Sequence, residues 1–248
     1  MDHPGWRLQP RKEFLGGVRP EFHDKGKIRS FGKFGMWDLP EFVVNEDHLF
    51  SRACDDLIGC SAIIGMFVSL EQSRAHGSTY GVFTRAEEVG FIGAIELARS
   101  GRIDRELTLI SLETSAERPP ARMGGGPIIR VGDRASVFDS DVTAFLVEVA
   151  ESRDLPYQRF LMDGGTCEAT AFQLFGYRCA ALTIALGNYH NCTSDGRIDA
   201  EYIDLGDLEG LIALCVAIVT ESKSVAETRE ALRERLEKRL KDFPLRVA

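Results

Sequence analysis

An α/β fold, a three-layer α/β/α sandwich around a largely parallel mixed sheet, is predicted by three observations. From about Asp55 onward, short apolar runs alternate with segments of helical periodicity. That order implies crossover connections and a mostly parallel sheet. One run, Leu107–Leu112, is nearly all apolar, as a strand covered on both faces should be. The polar residues that stand out fall at the ends of successive apolar runs, where sites form in such sheets.

The elements follow in order. Residues Trp6 to about Asp38 are rich in Gly, Pro and alternating charge and read as loops and short strands. We divide the chain into residues 1–50, an N-terminal segment with a small remnant of an insert subdomain, and 51–248, the α/β domain. Ile58, Ala62, Ile63, Met66 and Leu70 predict a helix over Asp55–Ala75. Strand Tyr80–Thr84 follows, then helix Ile92–Ala98, stopped at Ser100-Gly101. After strand Leu107–Leu112, a polar Gly-rich loop, Glu113–Gly126, leads to strand Pro127–Val131. Helix Ser140–Ser152, strand Tyr157–Met162, helix Thr166–Phe175 and strand Ala180–Leu186 come next. A loop, Gly187–Arg197, precedes a short strand, Tyr202–Leu205, and helices Leu208–Thr220 and Val225–Lys241. Pairs such as Glu234 with Lys238 mark the last helix as a solvated face.

The chain has 248 residues, 44% hydrophobic and 27% charged, enough to bury a sizeable core. A net charge of −8 and no basic stripe argue against nucleic-acid binding. No apolar run reaches the roughly 18 residues a membrane helix needs. The start lacks an apolar signal core. Six cysteines without a CxxC pair read as free thiols, so a cytoplasmic location is expected.

Glu87-Glu88 is the sharpest feature. Adjacent carboxylates repel, and one would be driven toward protonation. A divalent cation reverses that cost. At a strand end one carboxylate can hold a metal while the other handles protons. The plainer reading is a solvated acidic pair at a helix start. Asp55-Asp56, Glu113 and His190 recur at the same end of successive elements. Singly, they read as an N-cap, a loop carboxylate and a hydrogen-bonded histidine. Jointly, oxygen and imidazole donors suit zinc, cobalt or manganese.

These residues resemble the dinuclear metallo-aminopeptidases of the tetrahedral, deblocking and glutamyl type. The likeness lies in Cys54-Asp55-Asp56-Leu57-Ile58-Gly59-Cys60, in Glu87-Glu88-Val89-Gly90-Phe91-Ile92-Gly93-Ala94, in Gly125-Gly126-Pro127, in Asp163-Gly164-Gly165-Thr166 and in Tyr189-His190. The resemblance implies two divalent ions, Zn2+ first and Co2+ or Mn2+ as alternatives, and a peptide substrate. It implies that Asp55 bridges the ions, with a cis Asp55–Asp56 peptide. Glu87 would be the general base that deprotonates the attacking water. Glu88 and His190 would complete one metal site, and Glu113 would belong to the other. Gly164, Gly165 and Thr166 would line the substrate pocket.

The pattern departs in three places. Asp2 matches the carboxylate that orients the family's first histidine ligand, which would then fall before Met1. Only about fifty residues separate Asp2 from Asp55, too few for the insert domain that builds large cages. A smaller homo-oligomer or a monomer stays open. Leu57 stands where the family has arginine. Alongside the aminopeptidase, two readings remain: a non-catalytic relative acting as a binding or structural protein, and a deacylase or carboxypeptidase of the same wider class.

Overall fold

The structure, a computed structural model, describes residues 37–75 and 77–242. Four strands make the main sheet: β3 (Thr108–Ala116), β4 (Ile128–Asp133), β5 (Gln158–Met162) and β6 (Arg178–Leu186), in the order β3-β6-β4-β5. β3 and β6 run parallel over nine residues, from Thr108↔Arg178 to Ala116↔Leu186. β4 and β5 are also parallel, while β4 meets β6 antiparallel through Ile128↔Thr183 and Arg130↔Ala181. The sheet is therefore mixed and mostly parallel. β6 is fully covered from Cys179 to Leu186, which is why its sequence is a continuous apolar run.

Helices cover both faces. Along β6, Ala180, Leu182, Ile184 and Leu186 pack with α1 (Cys54–Ser73), α3 (Ser140–Ser152) and α5 (Leu205–Thr220). The alternate residues Cys179 and Ala181 pack with α2 (Ile92–Ser100) and α4 (Glu168–Leu174). This is the period-2 alternation of a strand between two apolar layers. In α1, Ile58, Ala62, Met66 and Leu70 are buried at a spacing of four, one turn apart. α6 (Val225–Asp242) packs on α3 and has a polar exposed face.

A second sheet joins β1 (Val43–Asn45), β2 (His48–Ser51) and β7 (Glu201–Asp204) in antiparallel order. The β1–β2 hairpin has no counterpart in the sequence reading, since Val43-Val44-Asn45-Glu46-Asp47 is too short to show a strand period.

Two expectations are corrected. Tyr80–Thr84 forms no strand: Tyr80 is 78% and Phe83 53% exposed, and the segment lies across a cavity from Leu109–Glu113 of β3. Without a neighbour to accept its backbone hydrogen bonds, an apolar run of strand character stays irregular. Glu113 does not end its strand either. β3 continues to Ala116 because Glu113–Ala116 pair with Thr183–Leu186, so Glu113 is an interior, buried position. No helix among the described residues is long and apolar enough to cross a membrane.

Candidate active site

Five separate segments converge on one cavity of about 350 Å3 at the end of the sheet where β3 and β6 finish. Asp55, Glu87, Glu88, Glu113 and His190 all line it, as do Gly164, Gly165 and Thr166. Asp2 lies outside the described residues.

Asp55 enters from the start of α1. The Asp55–Asp56 peptide is cis, and both residues have non-helical backbone angles, so the regular helix begins after them. Asp56 then accepts from the Gly59 N–H at 3.2 Å, as an N-cap residue does. A Cβ at Gly59 would collide with that carboxylate. Asp56 thus serves the helix, while Asp55 is on the cavity. Asp55 is held from three sides. Its N–H donates to Glu201 Oε2 at 3.0 Å, Thr114 Oγ1 donates to its Oδ1 at 3.0 Å, and His190 Nε2 lies 3.4 Å from its Oδ2.

Glu87 and Glu88 sit in a tight turn before α2. The Glu87 carbonyl accepts from the N–H groups of Gly90 and Phe91, and the Gly93 N–H donates to Arg85 O at 2.9 Å. A Cβ at Gly93 would collide with the Arg85 backbone, so glycine is required where α2 crosses the turn. His190 lies in a 3-10 turn, Tyr189–Asn191, with φ of 54° and its ring stacked on Tyr189 at 3.9 Å. The wall at Gly164–Thr166 is tied down by Asp133, which accepts from the Cys167 N–H at 3.0 Å and Thr170 Oγ1 at 2.6 Å.

The electrostatics follow from burying many acids together. Desolvation pushes Glu87 up to about 7, with the charges of Glu88 and Asp55 adding to it. Burial lifts Glu113 to about 8, although Ser111 Oγ donates to it at 2.7 Å. Glu88, Glu168 and Glu201 also shift upward, each chiefly through desolvation, and Asp56 shifts far upward for the same reason. His190 is raised, first by its contact with Asp55. Apart from that histidine, the cavity's charge is acidic on the metal-ligand side, which a divalent cation relieves. Among the described residues, no group of three His, Cys, Asp or Glu side chains is yet close enough to hold a metal. The donor types nonetheless fit one, being carboxylates and an imidazole with no thiolate. The six cysteines are unpaired, and none lines this cavity.

The sequence reading missed Glu201, Thr114 and Arg130. Glu201 is 3% exposed, and its signal was available: a lone acid in the apolar stretch Ala200–Ile203. Arg130, 4% exposed on β4, was hidden in an apolar run.

Comparison with known proteins agrees with this arrangement. A putatively named class is not needed to see it: a protein of Acetivibrio thermocellus described as a candidate aminopeptidase is 26% identical over 183 residues, 71% of this chain and 53% of its own length. The TET1 peptidase of Pyrococcus horikoshii, which can assemble into a tetrahedron or a large octahedral shell, is 26% identical, with a TM-score of 0.62 over 73% of this chain and 52% of its own. A TET aminopeptidase from a marine sediment archaeon, Thaumarchaeota archaeon SCGC AB-539-E09, shares the fold at 23% identity, with a TM-score of 0.66 over 77% of this chain and 54% of its own. The chain spans about half the length of the curated relatives it matches. The sequence profile of the M42 glutamyl aminopeptidase family matches residues 22–214, and the chain belongs to that family.

Proposed function

We propose that this chain carries the active site of a metal-dependent aminopeptidase that hydrolyses N-terminal residues from peptides. The observation that carries the reading is the convergence of Asp55, Glu87, Glu88, Glu113 and His190 on one cavity from five separate segments. Asp55, Glu88, His190 and Glu113 would hold two divalent ions, Zn2+ first, with Asp55 shared between them. Such ions supply Lewis acidity, polarising the scissile carbonyl and making water acidic enough to attack.

The chain's own groups do the rest. Glu87 takes a proton from the attacking water and returns it to the leaving amine. A carboxylate held near 7 can do both at neutral pH. Thr114 and Glu201 fix Asp55. The Gly164–Thr166 wall leaves room beside it for a peptide backbone. The TET1 relative assembles into closed shells, and we assign a homo-oligomer to this chain on that likeness, measurable by light scattering.

The test pairs metal content with hydrolysis of aminoacyl p-nitroanilides after loading with Zn2+, Co2+ or Mn2+. Glu87→Gln should retain metal and lose turnover; turnover at the parent rate in that variant refutes the assignment. A protein that cleaves N-acyl amino acids and leaves free N-terminal peptides intact would be a deacylase instead.

A further inference from the structure

Arg130 is the one cavity-lining group that the hydrolytic reading leaves without work. It is 4% exposed and lines the same cavity as the carboxylates. Its Nη1 reaches Ser115 Oγ at a long 3.4 Å, its Nε has no hydrogen-bond partner, and it forms no ion pair among the described residues. A buried guanidinium without a counter-charge is costly unless something completes it. Ser115 cannot, since its hydroxyl is also engaged by Thr183 Oγ1 at 2.9 Å. Asp55, Glu87, Glu88 and Glu113 do not pair with it and, in the proposed function, are committed to metal and proton chemistry.

Register places the group. Ile128 lies opposite Thr183, and Thr183 opposite Glu113, so these three share a rung. Arg130 lies opposite Ala181, one side-chain step deeper on the same sheet face. From there its side chain climbs past Thr183 toward Ser115. The guanidinium is therefore on the floor, below the level where Glu113 stands. An aminopeptidase holds the N-terminal residue deepest, with the rest of the peptide leading out to solvent. The part of a substrate that meets Arg130 is the side chain of that first residue.

We propose that Arg130 determines specificity by binding a side-chain carboxylate, so that peptides beginning with Glu or Asp are the preferred class. A planar guanidinium with free donors matches a carboxylate in two-point contact. This inference rests on the aminopeptidase reading for the direction of the peptide, but its test reads binding and not turnover.

The probes are isoglutamine, which keeps the γ-carboxylate, and glutamine, which keeps only the α-carboxylate, with leucinamide reporting on the remainder of the pocket. Calorimetric titration of the Zn2+-loaded protein should show isoglutamine binding at least about tenfold tighter than glutamine, the size of a charged hydrogen bond. Arg130→Met should reduce that ratio to about one while leucinamide still binds. Arg130→Lys, which keeps the charge without the fork, should fall between. Equal affinities in the parent protein, a preference for glutamine, or an unchanged ratio in Arg130→Met each overturn the proposal. Isoglutamine selectivity without any peptide hydrolysis would sink the aminopeptidase reading and leave the carboxylate site standing. Hydrolysis without selectivity would do the reverse.

Discussion

Replacing Glu113 by Gln should stabilise the metal-free protein, although it removes a group proposed to bind metal. Burial lifts this carboxyl from its usual 4.5 to about 8. The unfolded chain releases the proton near 4.5 and the folded chain only near 8. Between those values the folded state holds more protons, so stability falls as pH rises through that window. At pH 7 the mismatch spans 2.5 units, at about 1.4 kcal/mol per unit, or roughly 3 kcal/mol. Glutamine has no charge to desolvate and can keep the bond that Ser111 Oγ makes at 2.7 Å. Its amide nitrogen finds no assured acceptor, which leaves a net gain of about 1–3 kcal/mol. Urea denaturation in excess chelator, at pH 5 and pH 8, measures it. The gain should be present at pH 8 and shrink to below about 1 kcal/mol at pH 5. Saturating Zn2+ should reverse the order, because only the parent keeps the full donor set. A variant that is less stable than the parent at pH 8 without metal, or a difference independent of pH, would refute the reasoning.

Other perturbations have distinct signatures. Glu87→Gln should lower kcat by about 10²–10⁴-fold, the usual worth of a general base, with metal stoichiometry by elemental analysis unchanged. His190→Ala should reduce bound metal in the same analysis, since it removes the one imidazole on the cavity. Asp207 accepts from the Gly124 and Gly126 N–H groups at 2.8 and 2.7 Å, so Asp207→Ala should cost about 2–4 kcal/mol in chemical denaturation and free this loop to exchange its amides. Asp139 caps α3 through the Asp141 and Val142 N–H groups and is held below the usual carboxylate range, chiefly by the Val142 N–H against the opposing pull of desolvation. Asp139→Ala should cost about 1 kcal/mol at pH 7, a loss that disappears as acid protonates the parent.

How much was legible depended on whether a residue's job is written in its neighbours. The helix Ser140–Ser152 matches its predicted bounds because Asp139 is a cap immediately before an amphipathic run. Glu87-Glu88, Asp55, Glu113 and His190 were found because each interrupts an apolar segment, and burying an acid needs a reason. Failures came where the decisive partner is distant in sequence. Tyr80–Thr84 has strand composition, but a strand exists only by pairing, and no described strand lies beside it. Glu113 seemed terminal because polar residues follow it, yet Thr183–Leu186 extend the ladder beneath them.

The antiparallel junction of β4 and β6 was equally unreadable, since strand direction is set by how the chain returns and not by the strand's own residues. That junction has a chemical consequence. In an antiparallel neighbour, the first residues of β4 lie level with the last of β6, so Arg130 enters the cavity from a strand whose carboxyl end points away from it. The rule that sites gather at strand carboxyl ends finds Glu113 and His190 and overlooks Arg130. A sequence search for the groups that choose a substrate should therefore also consider strand beginnings, wherever one strand of the sheet runs against its neighbour.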